Sequence, residues 1–291
     1  MRRLPLPLLA ALGVALVGSL AAPARAGAWT KPEGGGYVKL GSATFLSDHA
    51  YDNRGNVVDT APFLLRAETL YAYLEYGVVD GLTAVGYVPY VISTNQHGSG
   101  VSFHTLGMGD AMAGLQLALL AYGPVVLSSR VELKVPLYQG APSVQGRRTR
   151  AVPGFPRTAT YFPALGDGQV DLSGFVSLGA SLPWLDGFFS AESGYRLRTG
   201  AVTDALVVNA NGGAFLLGRR LLLLVNASAI LTFPSGDEAR VFVGKGYWSV
   251  GPAFMLYVSD SLAIEVGADL VTRGVNAAGG VQMQLGVSYA F

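Results

Sequence analysis

Residues 125–137 read VVLSSRVELKVPL, and the two faces of this segment differ sharply in polarity. In an extended strand Val125, Leu127, Ser129, Val131, Leu133, Val135 and Leu137 share one side, and Val126, Ser128, Arg130, Glu132, Lys134 and Pro136 share the other. The division recurs along the chain. Leu172, Val176 and Leu178 oppose Asp171, Ser173 and Ser177; Ala191, Tyr195 and Leu197 oppose Glu192, Arg196 and Arg198; Leu262, Ile264, Val266, Ala268 and Leu270 oppose Glu265, Gly267 and Asp269. Two architectures accept such strands. A soluble sandwich turns the apolar face inward, and a membrane barrel turns it outward to lipid.

The polar face decides between them. It is rich in Gly, Ser, Asn and Gln, with few charges of mixed sign, which suits a narrow enclosed lumen better than a water-facing sheet. Charged residues are only 13% of the chain, against about 25% in soluble domains. The longest apolar stretch after the N-terminus, 111–129, is broken by Tyr122-Gly123-Pro124, so no spanning helix is available. A closed β-barrel is the other structure that satisfies its backbone in hydrocarbon. The expected fold is therefore all-β, a transmembrane up-and-down antiparallel barrel.

The N-terminus reads as an export leader. Arg2 and Arg3 precede a mostly apolar run, and Ala24-Arg25-Ala26 is a small-x-small cleavage site, so residues 1–26 are a signal peptide and 27–291 a single barrel domain. Without the leader the chain has three fewer than its 20 basic residues against 19 acidic ones, which leaves no nucleic-acid footprint. There is no cysteine, hence no disulfide and no thiolate metal site.

Strands are expected at 36–45, 64–77, 82–92, 107–120, 125–137, 169–182, 188–199, 204–217, 221–232, 246–258, 261–271 and 280–291, about twelve in all. Short gaps carrying Asp, Gly and Pro alternate with the longer gaps 46–63, 93–106, 138–168, 233–245 and 272–279; the gap 200–203 is short. Short periplasmic turns and long outward loops are the barrel arrangement. Trp184, Phe188, Tyr76, Tyr122, Trp248, Tyr257 and Phe291 near strand ends suit interfacial girdles. In the final run, VQMQLGVSYAF, Val281 to Phe291 alternate once more, and the last strand is expected to close on 36–45.

Four stretches carry a resemblance: GAWTKPEGGGYVKL (27–40), LEYGVVDGLTAVGYVPYV (74–91), ALGDGQVDLSGFVSLGASL (164–182) and GFFSAESGYRLRTG (187–200). Together they resemble the outer-membrane β-barrel family labelled meta-pathway phenol-degradation, or transporter-like, proteins. The resemblance implies a barrel that passes small, often aromatic or apolar, compounds. It also implies that Phe291, with Tyr289 and Val287, is the form read by the barrel assembly machinery. It brings no residue-level site.

Parity places Lys39, Glu75, Asp110, Arg130, Glu132, Lys134, Asp171, Glu192, Arg196, Arg198, Glu265 and Asp269 in the lumen. They read either as a selectivity eyelet or as ion pairs that fill the interior and hold the barrel round. The loop 138–168 carries Arg147, Arg148, Arg150 and Arg157, which suit an inward-folded constriction or contact with lipopolysaccharide phosphates. The three histidines, His49, His97 and His104, have neither metal-site nor triad spacing, although Ser102 and His104 share a face. Asp52 to Asp59 resembles a calcium loop only faintly and reads as an Asx-rich turn.

The expectation is a monomeric outer-membrane barrel, without a cofactor and not an enzyme, that lets small solutes through. Its partners are outer-membrane lipid, lipopolysaccharide and the assembly machinery. A closed structural or adhesive barrel acting through its loops is the alternative, and a lipid-modifying enzyme is the third.

Overall fold

The computed structural model describes residues 27–60, 63–138, 162–199, 203–233 and 245–291. The strands are β1 (Gly36–Tyr51), β2 (Val57–Asp59), β3 (Phe63–Val79), β4 (Leu82–His97), β5 (Ser102–Met108), β6 (Asp110–Tyr122), β7 (Val125–Pro136), β8 (Asp171–Leu182), β9 (Gly187–Arg198), β10 (Ala205–Leu216), β11 (Leu221–Thr232), β12 (Gly246–Tyr257), β13 (Leu262–Val275) and β14 (Ala277–Ala290). β5 and β6 both run along β4 and are interrupted at Gly109, so they count as one stave, and β2 only clips the upper end of β1. Twelve antiparallel staves therefore follow one another around the wall.

β1 pairs with β14 from Tyr37 opposite Ala290 to Tyr51 opposite Ala277. The Gly36 N–H donates to the Phe291 carbonyl at 2.8 Å, and the Phe291 N–H returns to the Gly36 carbonyl at 3.1 Å. Closure leaves no unpaired edge in a medium that offers no hydrogen bonds. Among the described residues no helix is long and apolar enough to cross a membrane.

The two faces lie as parity dictates. Val131, Ile264 and Leu285 are 57%, 39% and 53% exposed on the outer surface, whereas Arg130 and Glu265 are 2% and 1% exposed inside. Reversing the register would put Arg130 and Lys134 into lipid, at about 2–4 kcal/mol each near the midplane. The turns have the expected chemistry. Gly123, ahead of Pro124, sits at a φ of 57°, which glycine supplies at the first central position of a hairpin turn.

Two expectations change. Phe188 and Tyr257 belong to the inside, not to a girdle. They pack on an inward apolar cluster of Leu222, Leu224, Ala253, Met255 and Ala263, and Phe188 also meets Trp29 edge-on. Tyr76, Tyr122, Trp184, Trp248 and Phe291 do face outward. The gaps 46–63 and 93–106 are largely strand, because β1, β3, β4 and β5 rise above the apolar belt. There the outer face is polar as well, with Arg66 paired to Glu68 and Thr94 bonded to His104, so the alternation that marks a strand fades.

Candidate functional site: the lumen

The charged wall of the lumen is built by β6 to β9. Adjacent antiparallel strands bring inward residues level with one another: Lys134 lies opposite Asp171, Asp171 opposite Arg198, and Ser173 opposite Arg196. The Lys134 ammonium lies 3.2 Å from Asp110, 3.0 Å from Asp167 and 2.8 Å from Asp171. A little nearer the turns, the Arg130 guanidinium reaches Glu132 at 3.0 Å and Glu192 at 2.8 Å. Glu192 also accepts from Ser177 at 3.1 Å and Asn209 at 2.8 Å, so the network crosses from β7 to β10. Arg130 lies over the Phe175 ring at 4.8 Å. Such pairs strengthen each other where water is scarce.

A second, separate pair lies on the seam. Lys39 of β1 meets Glu265 of β13 at 2.8 Å, and both side chains are 1% exposed. Tyr71 lies under the Lys39 ammonium at 5.8 Å. Asp269 faces the same space, half-buried, two inward positions above Glu265. Glu75 is held by Lys31 at 3.1 Å and by the Tyr73 hydroxyl at 2.5 Å. All the lumen residues expected by parity thus face inward, but they divide into two groups instead of forming one ring.

Two segments outside the strands enter the lumen, and parity has nothing to say about either. Residues 27–33 cross the turn end from the β6–β9 side to β3 and β4. The Gly27 carbonyl accepts from Gln116 at 3.1 Å; the Lys31 N–H donates to Thr83 at 2.7 Å; the Glu33 N–H donates to Asp80 at 3.0 Å. A Cβ on Gly77 would run into the Pro32 carbonyl, so this approach requires glycine. Higher up, residues 162–168 lie against the inner wall. Leu165 is 1% exposed, Phe162 meets Phe103 edge-on, and a Cβ on Gly166 would sit 2.6 Å from the Asp110 carboxylate. Burial lifts the Asp167 carboxyl, but the charges of Lys134, Lys245 and Arg198 outweigh it and hold it at about 2. Lys245 itself is held below the usual lysine range by burial.

Arg147, Arg148, Arg150 and Arg157 lie outside the described residues. The histidines are dispersed: His49 bonds Asp48, His97 bonds Ser99, and His104 bonds Thr94 on the outer surface beside exposed Ser102. Among the described residues no His, Asp and Glu cluster is arranged to hold a metal. The Asp52 carboxylate is taken up by the N–H groups of Arg54 and Asn56, both at 2.8 Å, as an Asx turn.

No protein-family model matches the chain, and no curated protein matches it in sequence. Solved structures match in shape. The COG4313 outer membrane channel from Pseudomonas putida F1 superposes with a TM-score of 0.67 at 13% identity, covering 93% of this chain and 100% of that one. This chain has the fold of an outer-membrane barrel. The KdgM porin agrees less closely, with a TM-score of 0.51 at 7% identity over 88% of this chain and 99% of that one. Identities this low establish architecture alone.

Proposed function

We propose that the protein is an outer-membrane channel that passes small solutes, aromatic and apolar ones included, by passive or weakly facilitated diffusion. The observation that carries this reading is the reversal of polarity across the wall: the belt is apolar outside, and the interior is charged and polar from Glu75 and Lys39 up to Lys134 and Asp171. A barrel that served only as a scaffold has no need of so many desolvated ion pairs, which stabilise little compared with apolar packing. Inward apolar clusters around Leu222 and Met255, and around Phe45, Val91, Ile230 and Val271, offer an uncharged solute a second kind of wall. The resemblance to the transporter-like family and the shape of the COG4313 channel both favour transport.

On this reading the protein is a monomer, exported with cleavage after Ala26 and assembled through its Phe291 signature, and it performs no catalysis. The arginines of loop 138–168 would meet lipopolysaccharide or set selectivity at the mouth. The rival, a closed structural barrel acting through its loops, is favoured by the two segments, 27–33 and 162–168, that occupy the interior. Purified protein in planar bilayers separates the two. Discrete conductance steps are expected of a channel; silent membranes, with heat-modifiable migration intact, would establish the closed barrel.

A further inference from the structure

At the loop end of the charged wall stand three cations that, among the described residues, have no carboxylate closer than 4.0 Å. The Arg196 guanidinium has Ser173 at 3.2 Å. Arg198 stands 4.0 Å from Asp171, and Lys245 stands 4.0 Å from Asp167. The carboxylates they approach are already engaged: Asp171 and Asp167 both hold Lys134, at 2.8 and 3.0 Å. The Arg198 side chain is only 4% exposed, yet its Nε and Nη1 are buried with no hydrogen-bond partner. Buried N–H groups of a guanidinium are normally paired, and like charges gathered away from water call for an anion between them. Arg196 and Arg198 project from the same face of β9, one strand repeat apart, and a guanidinium's paired N–H groups match the two oxygens of a carboxylate.

The neighbouring wall is apolar. Ala205 lies directly opposite Arg196 in the ladder, and Val207, Ile230 and Tyr247 continue the surface across β10, β11 and β12 in register. All four are buried in one cluster. Cationic groups thus sit at the edge of an oily strip inside the barrel.

We propose that Arg196, Arg198 and Lys245 form an anion subsite that takes the carboxylate of a small amphipathic solute, with its apolar part lying along Val207, Ile230 and Tyr247. The subsite rests on the channel reading and narrows its substrate class to organic acids that carry an aliphatic or aromatic group. Segment 162–168, pinned by Asp167 to Lys134, forms the opposite side of the site and keeps Asp167 close enough to Lys245 to be displaced by an arriving anion.

The test compares three probes on the wild-type protein in planar bilayers: hexanoate, acetate as the head alone, and hexanol as the tail alone. Hexanoate is expected to block the current at roughly tenfold lower concentration than either. In the Arg196→Gln/Arg198→Gln double variant hexanoate should lose about tenfold or more, the range expected when charge-assisted bonds are removed, while hexanol block stays put. Arg219→Gln, at an exposed turn, is the control. If the double variant fails to migrate as a folded barrel, Arg198→Gln alone makes the same comparison. Hexanoate no better than hexanol, or indifferent to the variants, overturns the subsite while the channel stands. Silent bilayers overturn the channel reading; the subsite is then judged by calorimetric titration of hexanoate into the detergent-solubilised barrel, where failure of the wild type to bind more tightly than the variant overturns it too.

Discussion

The Lys39–Glu265 pair and the β6–β9 cluster use the same residue chemistry in the same lumen, and they are built on opposite terms. In the first, one ammonium and one carboxylate meet at 2.8 Å, both 1% exposed, over the Tyr71 ring and below Asp269. The second is a network in which Lys134 serves three carboxylates while Arg198 and Lys245 each stand 4.0 Å from the carboxylate they face. A contact as short and as deeply buried as the first acts as a rivet between β1 and β13, strands that flank the closing strand β14. The second leaves two cations at a distance from the carboxylates they face, and so keeps attraction in reserve. Burial alone does not distinguish them; distance does.

Removing one side of the rivet should have the largest effect on stability. Glu265→Gln leaves the Lys39 ammonium buried and unpaired, and a loss of about 3–5 kcal/mol is expected, read as a lower transition temperature in detergent. A Glu265→Gln barrel as stable as the wild type would mean that Lys39 has another anion, and the contrast would dissolve. Asp167→Asn should do less. It removes a counter-charge of Lys134 and Lys245, at a cost of about 1–3 kcal/mol, and moves the reversal potential in a KCl gradient toward anion preference. The sign with pH follows from the depressed carboxyl. Its contribution is complete above 3.8, the ordinary aspartate value, and is lost as pH falls through about 2. The difference between wild type and Asp167→Asn should therefore persist from pH 7 to pH 4. Arg198→Gln should be the mildest for stability, at about 1 kcal/mol or less, because it removes one loose contact along with like-charge crowding beside Arg196. It should nonetheless shift selectivity toward cations, so stability and selectivity would part company at this residue.

Parity was enough to place Arg130, Glu132, Lys134 and Glu192 inside, because a charge on the wrong face of a belt strand is so costly that the pattern has one solution. The same logic located the staves and the β14–β1 seam. It gave nothing for Lys31 and Lys245, which precede β1 and β12 and belong to no alternation. Gln116 and Thr83 looked like ordinary polar lining; that they hold the backbone of Gly27 and Lys31 depends on where the chain travels before its first strand. Nor did face assignment separate rivet from network, since pairing across β1 and β13, or between β7 and the segment before β8, joins residues far apart in sequence. Phe188 and Tyr257 were misplaced for a simpler reason. An aromatic at a strand end suits an interface equally well from either face, and only the parity of Ser190 and Met255 would have turned them inward.

The strands are unequal in length, and this shapes the entrance. β1, β3 and β4 run for 16 or 17 residues, whereas β7 through β12 each have 12. Counted from the short turns, that difference is worth about 10 Å of height after allowing for tilt. Among the described residues the strand ends therefore slant, standing higher over β1, β3 and β4 and lower over β9 and β12. Among the described residues, Arg198 and Lys245 lie at the loop ends of these shorter strands, on the side where the strands stop lowest.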